Sequence, residues 1–280
     1  VQDKLDDFID NAQQLPPSPR VLVKLLEMFK QPDQDINEVV KLLTYDQSFT
    51  MEVLKRCNSA YFAADKPAED MFEAVSRLGL HEIYRIALAM FAKSTMLRPG
   101  SEDGASVQIL WRHSAAVAVA AGVLTDNAGE SHAAFTAGLL HDVGKVVLVS
   151  ADKKKYTQAV LDAGMFHRPV SATERELFGF DHCEVGARLL TRWNLPPYIT
   201  SAVLHHHRPL EAQPFERLAA AVHLANLIAH GTGEKLEGEP KGLQNAAESL
   251  AVLKLSPEAI PGLMPSMHES LEKARALLFT

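Results

Sequence analysis

An apolar segment that carries three ionisable residues constrains this chain more than any other feature. In Gly138-Leu139-Leu140-His141-Asp142-Val143-Gly144-Lys145, a His, an Asp and a Lys interrupt small and aliphatic side chains. Unpaired charge is expensive to bury, so a fold that takes this segment inward must bring partners to it. At about 100° per residue, Gly138, His141, Asp142 and Lys145 are expected on one helix face, with Gly138 admitting a close approach. The enrichment of His around the segment is local: eight of the 12 lie between His113 and His207.

Three further segments present His on apolar faces. His113 shares a helical face with Leu110, Val117 and Ala120. His182 is expected to open a helix, with Asp181 and Glu184 as its capping box, and shares a stripe with Val185, Gly186 and Leu189. The run His205-His206-His207 follows the apolar stretch from Ser201 to Leu204. A single His–Asp pair reads most simply as a buried hydrogen bond. Repeated presentation of His instead suits neutral imidazoles gathered around a metal, present or ancestral, with carboxylate help.

This order, a His, then His-Asp-x-Gly-Lys, then a His, then paired His, resembles the HD superfamily of metal-dependent phosphohydrolases. Further strings narrow the resemblance: Leu15-Pro16-Pro17-Ser18-Pro19, Asp46-Gln47-Ser48-Phe49-Thr50, Arg56-Cys57-Asn58-Ser59-Ala60-Tyr61-Phe62 and Ala74-Val75-Ser76-Arg77-Leu78-Gly79. Together they are similar to the HDOD family, the HD-related output domains of bacterial signalling proteins, over about residues 15–230. The resemblance implies His113, His141 and Asp142 as first-metal positions. It implies His182 with two of the 205–207 run as second-metal positions; His206 and His207 are favoured by the His-His-x-Pro spacing to Pro209, and His205 is the alternative. It makes Lys145 the match to a phosphate-contacting lysine, so Asp142 and Lys145 are the candidate catalytic pair. Two departures follow. The closing Asp of the pattern is Asn226, which offers a carbonyl oxygen but no charge, and the Gly-Tyr-Pro signature of cyclic-di-GMP hydrolases is replaced by Pro209-Leu210-Glu211.

The fold is expected to be all-α: a helical half over 1–98 packed on an HD-like helical half over 99–280, divided near Pro99-Gly100. Ile36, Val39, Val40 and Leu43 keep helical spacing after Asp35, Leu78-Gly79-Leu80 reads as a helix junction, and Gly231 to Gly242 reads as a loop. A helix from Pro257 to Leu278 closes the chain. No apolar run is expected to reach the ~18 residues of a membrane span, and Val1-Gln2-Asp3-Lys4 is not expected to be a signal peptide. The net charge of −7 and the lack of a basic stripe exclude a phosphate-backbone binder. Cys57 and Cys183 lack metal spacing, and Cys183 reads as a buried thiol. His230 reads as surface, while His223 is ambiguous. A reducing cytoplasm is expected.

Two functions compete. The first is a signalling output module that retains some of the metal site and binds partners, signalling proteins or an upstream receiver or sensory domain as in response regulators, with this chain one piece of a longer protein. The alternative is a metal-dependent phosphohydrolase or phosphodiesterase using Fe, Mn or another divalent ion on a nucleotide or other phosphoester.

Overall fold

Every element among the described residues is helical, with no strand. The computed structural model describes residues 2–11, 25, 40, 43–44, 47–58, 67–96, 104–125, 128–231 and 245–278. The expected helix start at Asp35 to Val39, the Pro99-Gly100 division, the Leu15–Pro19 string and residues 232–242 of the expected loop lie outside them. Thirteen α-helices are described: α1 (Gln2–Asn11), α2 (Gln47–Cys57), α3 (Met71–Met96), α4 (Gly104–Val123), α5 (Ala128–Leu140), α6 (Val143–Ala151), α7 (Lys153–Phe166), α8 (Val170–Phe178), α9 (His182–Arg192), α10 (Pro197–Leu204), α11 (Glu216–Gly231), α12 (Ala247–Leu253) and α13 (Ile260–Leu278).

The helices form two compact units, Val1–Pro17 with Met96–Leu271, and Ser18–Thr95 with Glu272–Thr280. In the smaller unit, Asn58 clamps the approach to α3 by donating from Nδ2 to the Ala68 carbonyl at 3.0 Å and accepting the Ala68 N–H at 2.6 Å. Helix α3 kinks at Gly79, whose φ of 77° belongs to glycine. This is the junction expected there.

In the larger unit, small residues let helices touch backbone to backbone. A Cβ on Gly138 would lie 2.9 Å from the Ala118 Cα, so what approaches Gly138 is α4. Helix α6 crosses α9 in the same way: a Cβ on Gly144 would stand 2.0 Å from the His182 carbonyl oxygen. That crossing sets Asp142, the N-cap of α6, against His182, the first residue of α9. The capping box at Asp181 and Glu184 is present in both directions, and it fixes where α9 begins. Helix α11, almost wholly buried, packs against α4, α5 and α10.

Two expectations need correction. Gly138 to Lys145 do not share one helix: α5 ends at Leu140 and α6 starts at Val143, so His141 and Asp142 occupy the turn between them. The stretch Glu130–Ala151 is long and apolar enough by composition to cross a membrane, but 78% of its most apolar window is buried among the other helices.

Helix α1 docks on α9. Leu5 and Ile9 are buried, Phe8 meets the Phe180 ring edge-on at 4.7 Å, and Asp6 accepts from Arg188 at 2.7 Å and Arg192 at 2.8 Å. The Arg188 hydrogen bond, with help from Arg192, holds the Asp6 carboxyl at about 2. A depressed folded-state value means a contribution that is complete above the unfolded value, about 3.9, and is lost as pH falls through about 2. The acid-side fall in Tm between those two values is therefore expected to shrink in Asp6→Asn. The effect is small because solvent screens the pair. Superimposable acid limbs in thermal melts would refute it.

Candidate metal centre

Two helix C-termini use the same local device. At the end of α5, His141 Nδ1–H donates to the Gly138 carbonyl at 2.7 Å, and at the end of α10, His206 Nδ1–H donates to the Val203 carbonyl at 2.7 Å. Each imidazole satisfies a carbonyl that a helix end leaves bare and is thereby locked with Nε2 pointing away from its own helix. His182 is oriented by α8 instead. The Glu174 Oε2 accepts both the His182 backbone N–H at 2.9 Å and its Nδ1–H at 2.6 Å. With Nδ1 carrying the proton in all three rings, Nε2 is the lone pair, the usual arrangement of metal-binding His with a supporting acceptor.

Those lone pairs surround Asp142. Its Oδ2 lies 2.9 Å from Lys145 Nζ and 3.2 Å from His141 Nε2, and its Oδ1 lies 3.4 Å from His182 Nε2 and 3.9 Å from His206 Nε2. His207 Nε2 is 3.2 Å from His182 Nε2. His113, on α4, completes a group with His141 and Asp142 whose ligand atoms lie within 4.8 Å of one another. His141, Asp142, His182, His206 and His113 are all buried. Asp142 Oδ1, His141 Nε2 and His206 Nε2 have no hydrogen-bond partner. Buried acceptors left facing one another are costly, and a cation between them removes the cost. The donor set therefore fits a divalent metal.

The electrostatics agree for Asp142, His206 and His207, while His182 departs from them. Burial alone would raise the Asp142 carboxyl, but His141, Lys145 and His182 hold it well below the carboxylate range. Burial, reinforced by the neighbouring imidazoles, keeps His206 and His207 well below the usual His range, hence neutral and able to ligate. His182 is raised. Burial opposes this, and Cys183 and the Glu174 carboxylate favour it, while burial pushes the Cys183 thiol itself up to about 11.

Of the residues singled out from sequence, His113, His141, Asp142, Lys145, His182, His206 and His207 come together. His205 does not: its Nδ1 faces Glu211 at 3.8 Å. Asn226 is buried on α11 with its Oδ1 lacking a hydrogen-bond partner. His230, expected at the surface, is buried one turn further along α11, its ring 4.7 Å from that of His113. His223 lies outside the cluster of rings, its Nδ1 2.7 Å from Ser249 Oγ. Glu174 was missed by sequence reasoning, since one acid within Glu174-Arg175-Glu176 carries no signal beyond standing eight residues before His182.

The HDOD domain family matches residues 15–209, which includes both the N-terminal strings and the His/Asp centre as far as His207. This chain belongs to the HDOD family. Among solved structures, an HDOD domain protein of unknown function from Geobacter sulfurreducens is 27% identical, with a TM-score of 0.77, over 98% of this chain and 97% of the other. A Shewanella amazonensis SB2B protein proposed to be a phosphohydrolase is 23% identical, TM-score 0.71, over 98% of each chain. A Marinobacter aquaeolei VT8 protein proposed to act in signal transduction is 21% identical, TM-score 0.76, over 99% of this chain and 64% of the other. The last two share the fold of this HDOD domain. A curated relative from Treponema pallidum (strain Nichols) is 27% identical over 92% of this chain, and the chain spans about half of that protein's length.

Proposed function

We propose that this HDOD domain is a signalling output module that holds a divalent ion in its His/Asp centre and acts by binding partners. The observation that carries the reading is the convergence of buried imidazole lone pairs on Asp142, with Oδ1 lacking a hydrogen bond. His113, His141 and Asp142 would hold the ion on one side, His182, His206 and His207 on the other, with the Asn226 carbonyl as the position where the family pattern has a charge. A bound divalent ion supplies charge neutralisation and Lewis acidity there. The chain's own residues favour holding over turnover. Asp142 is 1% exposed, and Lys145, 3% exposed, is turned onto Asp142 rather than presented to an incoming phosphate. Partners would be signalling proteins or a receiver or sensory domain of a longer cytoplasmic protein, in keeping with the signalling role proposed for the Marinobacter protein. The division into 1–98 and 99–280 belongs to this same proposal.

One observation favours phosphoester hydrolysis as the second reading. His207 and Cys183 line an open pocket of about 570 Å³ whose wall includes Arg175 and Arg208, a size that suits a small ligand. The test is metal analysis of protein purified without chelator, melts with and without chelator, and an assay against a phosphoester panel. Retained metal, a lower Tm after chelation and no turnover are expected. Turnover abolished by His141→Ala would establish the hydrolase instead. Asn226→Asp is expected to tighten divalent binding on the order of tenfold or more, because it adds a charge beside the ion. Unchanged affinity in a metal titration would remove Asn226 from the centre.

A further inference from the structure

Cys183 lies beside the half of the centre that the Asp142 chemistry leaves over. Its Sγ is 3.5 Å from His182 Nε2, and the ligand atoms of His182, Cys183, His206 and His207 lie within 4.8 Å of one another. The thiol is buried and forms no disulfide. His206 Nε2 reaches the same group fully buried and without a hydrogen-bond partner, its ring locked by Val203. A tetrahedral ion with N ligands at about 2.0–2.1 Å and S at about 2.3 Å requires N···N edges of roughly 3.3 Å and N···S edges of roughly 3.6 Å. Two edges of this group, 3.2 Å between the His182 and His207 Nε2 atoms and 3.5 Å from Cys183 Sγ to His182 Nε2, match those lengths.

We propose that Cys183 is a fourth ligand beside His182, His206 and His207, forming a soft site of three imidazole nitrogens and one thiolate sulfur for a thiophilic divalent ion of the zinc class. The neighbouring set of His113, His141 and Asp142 contains a carboxylate and no sulfur, so the two halves of the centre select differently: thiolate favours zinc and its like, carboxylate with imidazole admits harder ions. Ligation replaces the S–H bond with an S–metal bond and releases one proton to solvent. The ion reaches the site from the open pocket, which both Cys183 and His207 line. The inference rests on the metal-binding reading proposed above.

The full chain, stripped with chelator, is titrated with Co(II) and followed by absorption. Wild type is expected to develop the intense near-ultraviolet thiolate-to-Co(II) charge-transfer band, and Cys57→Ser, which alters the other buried thiol, is expected to keep it. Cys183→Ser and Cys183→Ala are expected to lose the band while keeping wild-type far-ultraviolet circular dichroism. Their zinc affinity should fall by more than the roughly 10–100-fold that loss of a supporting hydrogen bond costs. Visible Co(II) bands without charge transfer in wild type would overturn the Cys183 assignment and leave the metal centre standing. No Co(II) binding at all would overturn both.

Discussion

Asp142→Ala is expected to abolish metal retention and to lower the unfolding free energy of the metal-free protein by about 3–5 kcal/mol, the cost of removing one partner of a buried ion pair. Its carboxylate, 1% exposed, is 2.9 Å from the Lys145 ammonium, itself only 3% exposed. Without Asp142, that ammonium keeps its burial and loses its counter-charge, near His206 and His207, which already resist protonation. The same pair supplies a control. Asp142→Ala combined with Lys145→Met removes both charges, and replacing a buried pair with apolar groups is often neutral, so the double variant should recover most of the lost stability. It should not recover the metal, because Met supplies no carboxylate. Urea unfolding at constant m-value reads the first effect and elemental analysis the second. A single variant as stable as wild type, or a double variant no better than the single, would show that Lys145 does not depend on Asp142.

Where sequence and structure agree, the decisive interactions are local. Asp181 and Glu184 lie three residues apart and cap each other's backbone, so the start of α9, and with it the inward placement of His182, was legible residue by residue. Gly79 marks a junction because only its own φ is at stake. The failures have two sources, a local side-chain stop that periodicity does not show and partners delivered by other helices. Periodicity carried one helix through His141-Asp142 because no Pro or Gly stands there as a stop. The break is made by the His141 side chain closing the Gly138 carbonyl and by Asp142 becoming the next N-cap. His230 reads as surface from the sequence, yet it is buried, with the ring of His113 on α4 set against it. Glu174 is one acid in a charged run, and its role exists only because α8 delivers it to the first residue of α9. Charged residues that serve a site through a neighbouring helix leave no periodic trace.

Gly144→Ala carries the second large effect. The added Cβ would lie 2.0 Å from the His182 carbonyl oxygen and 2.8 Å from the Gly186 N. Both are backbone atoms of α9, so no side-chain rotation relieves the contact and α6 must move away from α9. Overpacking typically costs about 1–3 kcal/mol and occasionally more; a clash with two backbone atoms belongs at the upper end, about 3 kcal/mol. The displacement acts directly on the centre, because the crossing at Gly144 is what holds His182 Nε2 3.4 Å from Asp142 Oδ1. Metal affinity is therefore expected to fall together with stability, although residue 144 offers no ligand. Gly164→Ala supplies the contrast. Gly164 sits in the last turns of α7 with nothing within 4 Å of its added Cβ, so the same substitution there should stabilise by about 0.4–1 kcal/mol through the unfolded state and leave metal binding untouched. Urea unfolding and a zinc titration on the two variants separate the cases. A Gly144→Ala protein that unfolds like wild type and binds zinc as tightly would mean that α6 and α9 do not meet backbone to backbone, and that Asp142 and His182 owe their proximity to something else.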